Sequence, residues 1–176
     1  MLLLTVGVLT ALSLAALLWR IWRRPAGKTA GDILRGAAGG AGLFLALGPP
    51  AGTVVFALFV TIAGHDLDSL KNLPMMIFMV PYSYLFGGVP ALLCGGVAGA
   101  FRPARASWRS YCWPGLLGGL YASGFQLGFA SRDYSWSDLT GLLVIGGIPG
   151  LVSGVACARV LYGKSPVAAA EPDAPT

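Results

Sequence analysis

Residues 87–95 read GGVPALLCG, and residues 146–154 read GGIPGLVSG. Five of the nine positions are identical, and the other four exchange similar small or apolar residues. Both stretches, called the first and second GGxP copies below, lie inside long apolar runs. Glycine and proline inside such runs are typical of helices that span a membrane. The repeat therefore predicts two copies of one kind of membrane helix.

Small residues recur at every fourth position through both copies. Residues four apart share one face of an α-helix, and in lipid a strip of small residues lets two helix backbones approach closely. We call each strip a ridge and predict that the two ridges pack against each other. The first ridge is Gly87, Ala91, Gly95 and Gly99, and the second is Gly146, Gly150, Gly154 and Ala158.

Each copy also places a proline beside its ridge, Pro90 after Gly88 and Pro149 after Gly147. A proline inside a helix removes one backbone donor and bends the helix. One interpretation is that these kinks only shape the packing of the bundle. The other is that they line a central cavity, where freed carbonyls bind an ion or a substrate, as in transporters with broken helices. The packing interpretation is favoured because glycine and proline are common in membrane helices.

The composition excludes an ordinary water-soluble domain. Of the 176 residues, 56% are hydrophobic and only 11% are charged, against about 25% charged in soluble domains. The net charge of +5 does not indicate nucleic-acid binding, because positive charge in a membrane protein usually sets its orientation. The lipid bilayer is the expected surrounding, and no nucleic-acid partner is expected.

Five apolar segments predict an all-α integral membrane protein of about five transmembrane helices. The Pro49-Pro50 pair could instead turn the second segment back as a re-entrant hairpin. Since each repeat unit holds two spans, the two units should have parallel orientation. The predicted parts are an N-terminal anchor (1–24), a first helical hairpin (36–101), a second helical hairpin (111–162) and a disordered tail (163–176).

Basic residues divide unevenly between the two sides of this five-span arrangement. Ten of the twelve lie between segments one and two, between three and four, or after five, and only Lys71 and Arg132 lie on the other side. Cytoplasmic loops carry the excess of Lys and Arg. The sequence therefore predicts a multi-pass protein of the plasma (inner) membrane with its N-terminus outside and its C-terminus in the cytoplasm.

The sequence offers little chemistry inside the membrane. No ionisable residue lies near the centre of a predicted span, and Gln126 is the polar residue most costly to expose to lipid. His65, Asp66 and Asp68 form a polar cluster predicted at the outer mouth. These side chains could bind a metal, but a solvated loop is the favoured interpretation. No cofactor and no metal are therefore predicted.

Three functions remain open from the sequence. The favoured one is a non-enzymatic accessory or assembly subunit that packs through its small-residue faces against other membrane subunits or copies of itself. The alternative is a small oligomeric transporter or channel whose GGxP kinks line the pathway. The weakest is a membrane enzyme that uses His65 and the outer aspartates, because no catalytic motif supports it.

Overall fold

The computed structural model describes residues 1–63, 78–103, 107–129 and 140–163. These residues are mostly helical, and no strand occurs among them. The predicted all-α fold is confirmed. The five helices are α1 (Leu2–Trp22), α2 (Ala30–Ala63), α3 (Val80–Ala100), α4 (Trp108–Leu127) and α5 (Thr140–Tyr162).

Four of these helices, α1, α2, α3 and α5, are long and apolar enough to cross a bilayer. α4 has 20 residues and corresponds to the predicted fourth span, but it is more polar because it carries groups such as Arg109 and Gln126. It packs against α1, α3 and α5, and these neighbours partly enclose Gln126, whereas Arg109 is exposed. The chain is a multi-spanning helical membrane protein.

α2 is one continuous helix of 34 residues that contains Pro49 and Pro50. A re-entrant turn at this proline pair is therefore not formed. The helix is about 51 Å long at 1.5 Å per residue, well beyond a hydrocarbon core of about 30 Å, so it must tilt or project from the bilayer. Pro50 cannot donate to the Ala46 carbonyl one turn earlier. The Tyr84 hydroxyl of α3 donates to that carbonyl instead, at 3.0 Å.

Each ridge packs against the helix that precedes it in the chain. In the first hairpin, Gly99 lies on the Gly36 carbonyl and Gly95 on the Gly40 carbonyl, so α2 and α3 run antiparallel. The prediction that the two ridges face each other is wrong. The physical reason is that α2 carries its own glycines at the matching spacing, which lets the two backbones of one hairpin meet.

The second hairpin repeats this arrangement between α4 and α5. Gly154 lies on the Pro114 carbonyl, Gly150 on the Gly118 carbonyl, and Gly146 on the backbone of Ala122. The pairing again runs antiparallel in steps of four residues. The ridge of α5 is thus occupied by α4 and is not available to α3.

The four hairpin helices form a ring in the order α2, α3, α4, α5. α2 contacts α5 and α3 contacts α4, which joins the hairpins on both sides, whereas the diagonal pair α3 and α5 touch very little. Exchanging one hairpin for the other reproduces this set of neighbours, as expected of two units related by a twofold axis. α1 breaks the symmetry because it packs mainly on α3 and α4.

One end of the bundle gathers the basic side chains and several interhelical hydrogen bonds. The Arg20 guanidinium donates to the Ala100 carbonyl at 3.3 Å and lies 5.2 Å from the centre of the Phe101 ring. The Tyr162 hydroxyl donates to the Ala98 carbonyl at 3.0 Å. The described basic residues at this end are Arg20, Arg23, Arg24, Lys28, Arg35, Arg102, Arg109 and Arg159.

Candidate functional site

A cavity of about 350 Å³ lies between the two hairpins; we call it the inter-hairpin cavity. Its floor is formed by the buried side chains of Phe44, Cys94 and Cys157. From this floor it extends toward the end of the bundle where α2 ends and α3 begins, past Thr53 and Gln126. Cavities of this size hold small molecules in other proteins.

Both GGxP copies contribute to this cavity, and each predicted residue set divides in two. Part of each set lines the cavity, and three of the lining residues, Gly146, Gly150 and Gly154, also pack against α4. The lining residues are Gly87, Pro90, Ala91, Gly146, Pro149, Gly150 and Gly154. The other predicted residues lie against neighbouring helices or in the core: Gly88, Gly95, Gly99, Gly147 and Ala158.

A third proline joins Pro90 and Pro149 around the cavity. Pro49 of α2 also lines it, and a Cβ added at Gly87 would lie 3.7 Å from the Pro49 side chain. Each proline leaves the carbonyl one turn before it without its usual helical donor. Three of the four surrounding helices therefore present a proline at the cavity.

The helix around Pro149 departs from α-helical geometry. Residues Leu143–Gly147 form a π-helical turn, in which the Ile148 N–H bonds to the Leu143 carbonyl five residues back. Ile145 and Gly146 of this turn line the cavity. Such single turns occur frequently at functional sites. The first copy has no counterpart, because α3 is α-helical from Val80 to Ala100.

The hydroxyl groups of three cavity residues are already used as donors within their own helices. Thr53 donates to the Pro49 carbonyl at 3.0 Å, Ser83 to the Val80 carbonyl at 2.7 Å, and Ser153 to the Gly150 carbonyl at 3.3 Å. Their oxygens keep lone pairs that can accept a hydrogen bond. The half-buried Gln126 amide makes no hydrogen bond to another described residue.

No Asp, Glu, Lys, Arg or His occurs among the described residues that line the cavity. Within the same described part of the chain, no group of three His, Cys, Asp or Glu side chains could hold a metal. The predicted polar cluster of His65, Asp66 and Asp68 lies outside the described residues, as does the tail beyond Gly163.

The contribution of α2 to both the packing and the cavity was not predicted from the sequence. Phe44, Gly48, Gly52 and Thr53 all line the cavity. The signal was present in the sequence, because Gly36, Gly40, Gly48 and Gly52 recur in steps of four or eight residues and so share one helix face.

Comparisons with known proteins agree with a membrane location. No family model and no solved structure matches the chain. Over 127 residues the chain is 28% identical to the protein named inner membrane protein CbrB, found in Escherichia coli O9:H4 (strain HS), Shigella flexneri serotype 5b (strain 8401) and Shigella sonnei (strain Ss046). The match covers 67% of this chain and 81% of each relative. Together with its apolar helices, this likeness supports a multi-pass inner-membrane protein.

Proposed function

We propose that this protein is a small, non-enzymatic transporter or channel whose solute occupies the inter-hairpin cavity. The observation that carries the proposal is the convergence of both GGxP copies on one cavity. Residues of corresponding position, Pro90 with Pro149 and Ala91 with Gly150, approach it from opposite hairpins. Binding sites between repeated units are the usual arrangement in secondary transporters. The proposal includes no catalytic step.

The accessory-subunit hypothesis is ranked second because its docking surface is occupied. Gly95 and Gly99 are buried against α2, and Gly154 is buried against α4. A partner that used either ridge would have to displace a helix of the same chain.

The proposed orientation keeps the basic end of the bundle in the cytoplasm, which follows the positive-inside rule. Self-association remains a prediction.

A cavity-filling substitution tests the proposal. A Cβ added at Gly52 would meet only the Pro149 Cβ at 4.0 Å, so Gly52→Phe directs its ring into the cavity without a backbone collision. Gly42→Phe is the matched control on the same helix, since Gly42 is exposed and has nothing within 4 Å of its added Cβ.

The measurement is release from proteoliposomes loaded with five solutes of different chemistry: ribitol, glycine, lactate, potassium and butyl glucoside. The wild-type protein should accelerate the release of at least one of them over empty liposomes. Gly52→Phe should abolish this acceleration, whereas Gly42→Phe should preserve it. Equal release from wild type, both variants and empty liposomes would contradict a transport function for this cavity.

A further inference from the structure

We infer that the inter-hairpin cavity takes an uncharged amphipathic molecule, with an apolar chain and a hydroxyl-bearing head held at Gln126. The inference rests on the proposed function and names the class of its solute. Three properties of the cavity support it: the charge of the lining, the character of the walls, and a lining amide that no other described residue pairs.

The described part of the lining offers no counter-charge to a charged solute. Its described residues include no Asp, Glu, Lys, Arg or His that could neutralise an ion. An ion moved from water into such a site would lose its hydration without gaining an opposite charge, which is very costly in an apolar medium. An uncharged molecule avoids this cost.

The walls favour an apolar chain. Aromatic and aliphatic side chains surround the space on several sides, among them Phe44, Phe56, Phe86 and Ile145. Burial of hydrocarbon against these side chains is favourable in proportion to the apolar area removed from water. A small polar solute such as a polyol would leave most of this surface without a partner.

The polar groups favour a hydroxyl-bearing head. The Gln126 amide provides two donors and a carbonyl acceptor, and no described residue occupies them. The Thr53 and Ser83 hydroxyls donate to their own helices and can therefore only accept from a solute. A hydroxyl both donates and accepts, so it can pair with the Gln126 amide and with these oxygens.

Photolabelling of the full-length protein in lipid nanodiscs tests this assignment. The probe is octanol with a diazirine on its alkyl chain, and the comparison probe is the corresponding octanoate, which is ionised at neutral pH. Labelled residues are identified by mass spectrometry of peptides. The alkanol probe should label lining residues of α2, α3 or α5, and excess octan-1-ol should prevent this labelling.

Two variants separate the cavity from nonspecific labelling. Gly52→Phe should abolish labelling of the lining, whereas Gly42→Phe should leave it unchanged. Gln126→Leu keeps a similar side-chain volume and should weaken competition by octan-1-ol about fivefold, the effect of one ordinary hydrogen bond. The thermal unfolding of each variant is measured beside the wild type to establish that it is folded.

Three results would overturn the inference: equal or stronger labelling by the octanoate probe, labelling that persists in folded Gly52→Phe, or an unchanged competition constant in folded Gln126→Leu. Labelling as expected without any solute release from proteoliposomes would contradict transport and leave the solute class standing. Release of lactate or potassium that Gly52→Phe blocks would support transport and overturn the solute class.

Discussion

The two GGxP copies share one sequence pattern and one role in packing, yet they differ in geometry. In both hairpins the ridge meets the preceding helix in antiparallel steps of four residues. In both, the proline and the next ridge residue line the same cavity. The helix that carries Pro90 is regular throughout, whereas a π-helical turn precedes Pro149.

The two hairpins also differ in how closely their two helix backbones approach each other. A Cβ added at Gly95 would lie 2.5 Å from both the Gly40 carbonyl oxygen and the Phe44 Cβ. At the equivalent Gly154, the nearest atoms would be the Pro114 carbonyl oxygen at 2.7 Å and the Gly115 Cα at 3.0 Å. The first hairpin is thus the tighter of the two. We expect it to act as the fixed wall of the cavity and the second hairpin as the adaptable one.

Of four substitutions that compare regions of the bundle, Gly95→Ala should destabilise the protein most. The added methyl group meets backbone and the rigid start of the Phe44 side chain, so α2 and α3 must separate. We expect a loss of about 1–3 kcal/mol in the free energy of unfolding, measured by titration of mixed micelles with denaturing detergent. Gly42→Ala on α2 is the control and should be close to neutral, because its added Cβ has nothing within 4 Å.

Gly154→Ala tests whether the second hairpin is more tolerant. Its added methyl group meets the Pro114 carbonyl at a longer distance, and we expect α5 to shift more readily beside its π-helical turn. The free energy of unfolding should fall by less than in Gly95→Ala, by about 1 kcal/mol. A loss equal to or greater than that of Gly95→Ala would remove the distinction between a fixed and an adaptable wall.

Tyr84→Phe probes a hydrogen bond of the first hairpin that the second cannot form. Tyr84 donates to the carbonyl that Pro50 leaves without a helical donor, and the equivalent position in the second copy is Leu143. Loss of this bond should destabilise the protein by about 0.6–1.7 kcal/mol, the range for side-chain hydrogen bonds between membrane helices. Tyr82→Phe is the matched control, because the Tyr82 hydroxyl bonds to no other described residue. Equal losses in the same unfolding titration would show that the bond to Ala46 contributes nothing.

Much of this fold follows from composition and periodicity. The shortage of charge, the apolar runs and the four-residue spacing of glycine are properties of single segments, and they correctly predict helices, spans and ridges. The helix against which each ridge packs cannot be predicted from single segments, because it depends on which helix face has small residues at the matching positions. The small-residue face of α2 identifies the partner only once it is placed beside the ridge of α3, where Gly40 contacts Gly95.

The candidate site was predictable to a smaller extent. Pro90 and Pro149 were expected either to shape the packing or to line a cavity. The sequence could not decide between these, because the cavity exists only when four helices are placed around a common space. The π-helical turn is a second example, since no residue of Leu143–Gly147 distinguishes it from an α-helical turn in the sequence. The role of Gln126 depends in turn on the hydrogen bonds that its neighbours make, which residue type alone does not reveal.

The smallest effect is expected at the contact of α1 with the second hairpin, where the twofold pattern is broken. The Ser13 hydroxyl donates to the Leu9 carbonyl at 2.9 Å, so the Tyr121 hydroxyl is the donor in its 2.8 Å bond to Ser13. Tyr121→Phe removes the hydrogen bond that Tyr121 donates to the Ser13 oxygen, but the Ser13 hydroxyl keeps its own bond to the Leu9 carbonyl. We expect a loss of about 0.6 kcal/mol, below that of Tyr84→Phe, where the Ala46 carbonyl has no helical donor from Pro50 to replace the lost bond.

A double-mutant cycle with Ser13→Ala isolates this bond from the rest of the α1 contact. A coupling energy near the whole effect of Tyr121→Phe would show that the hydroxyl contact accounts for it. A coupling energy well above the loss of stability in Tyr84→Phe would contradict the proposed order. α1 would then be an integral member of the bundle, and its contacts with α3 and α4 would contribute to stability as much as the contacts within the hairpins.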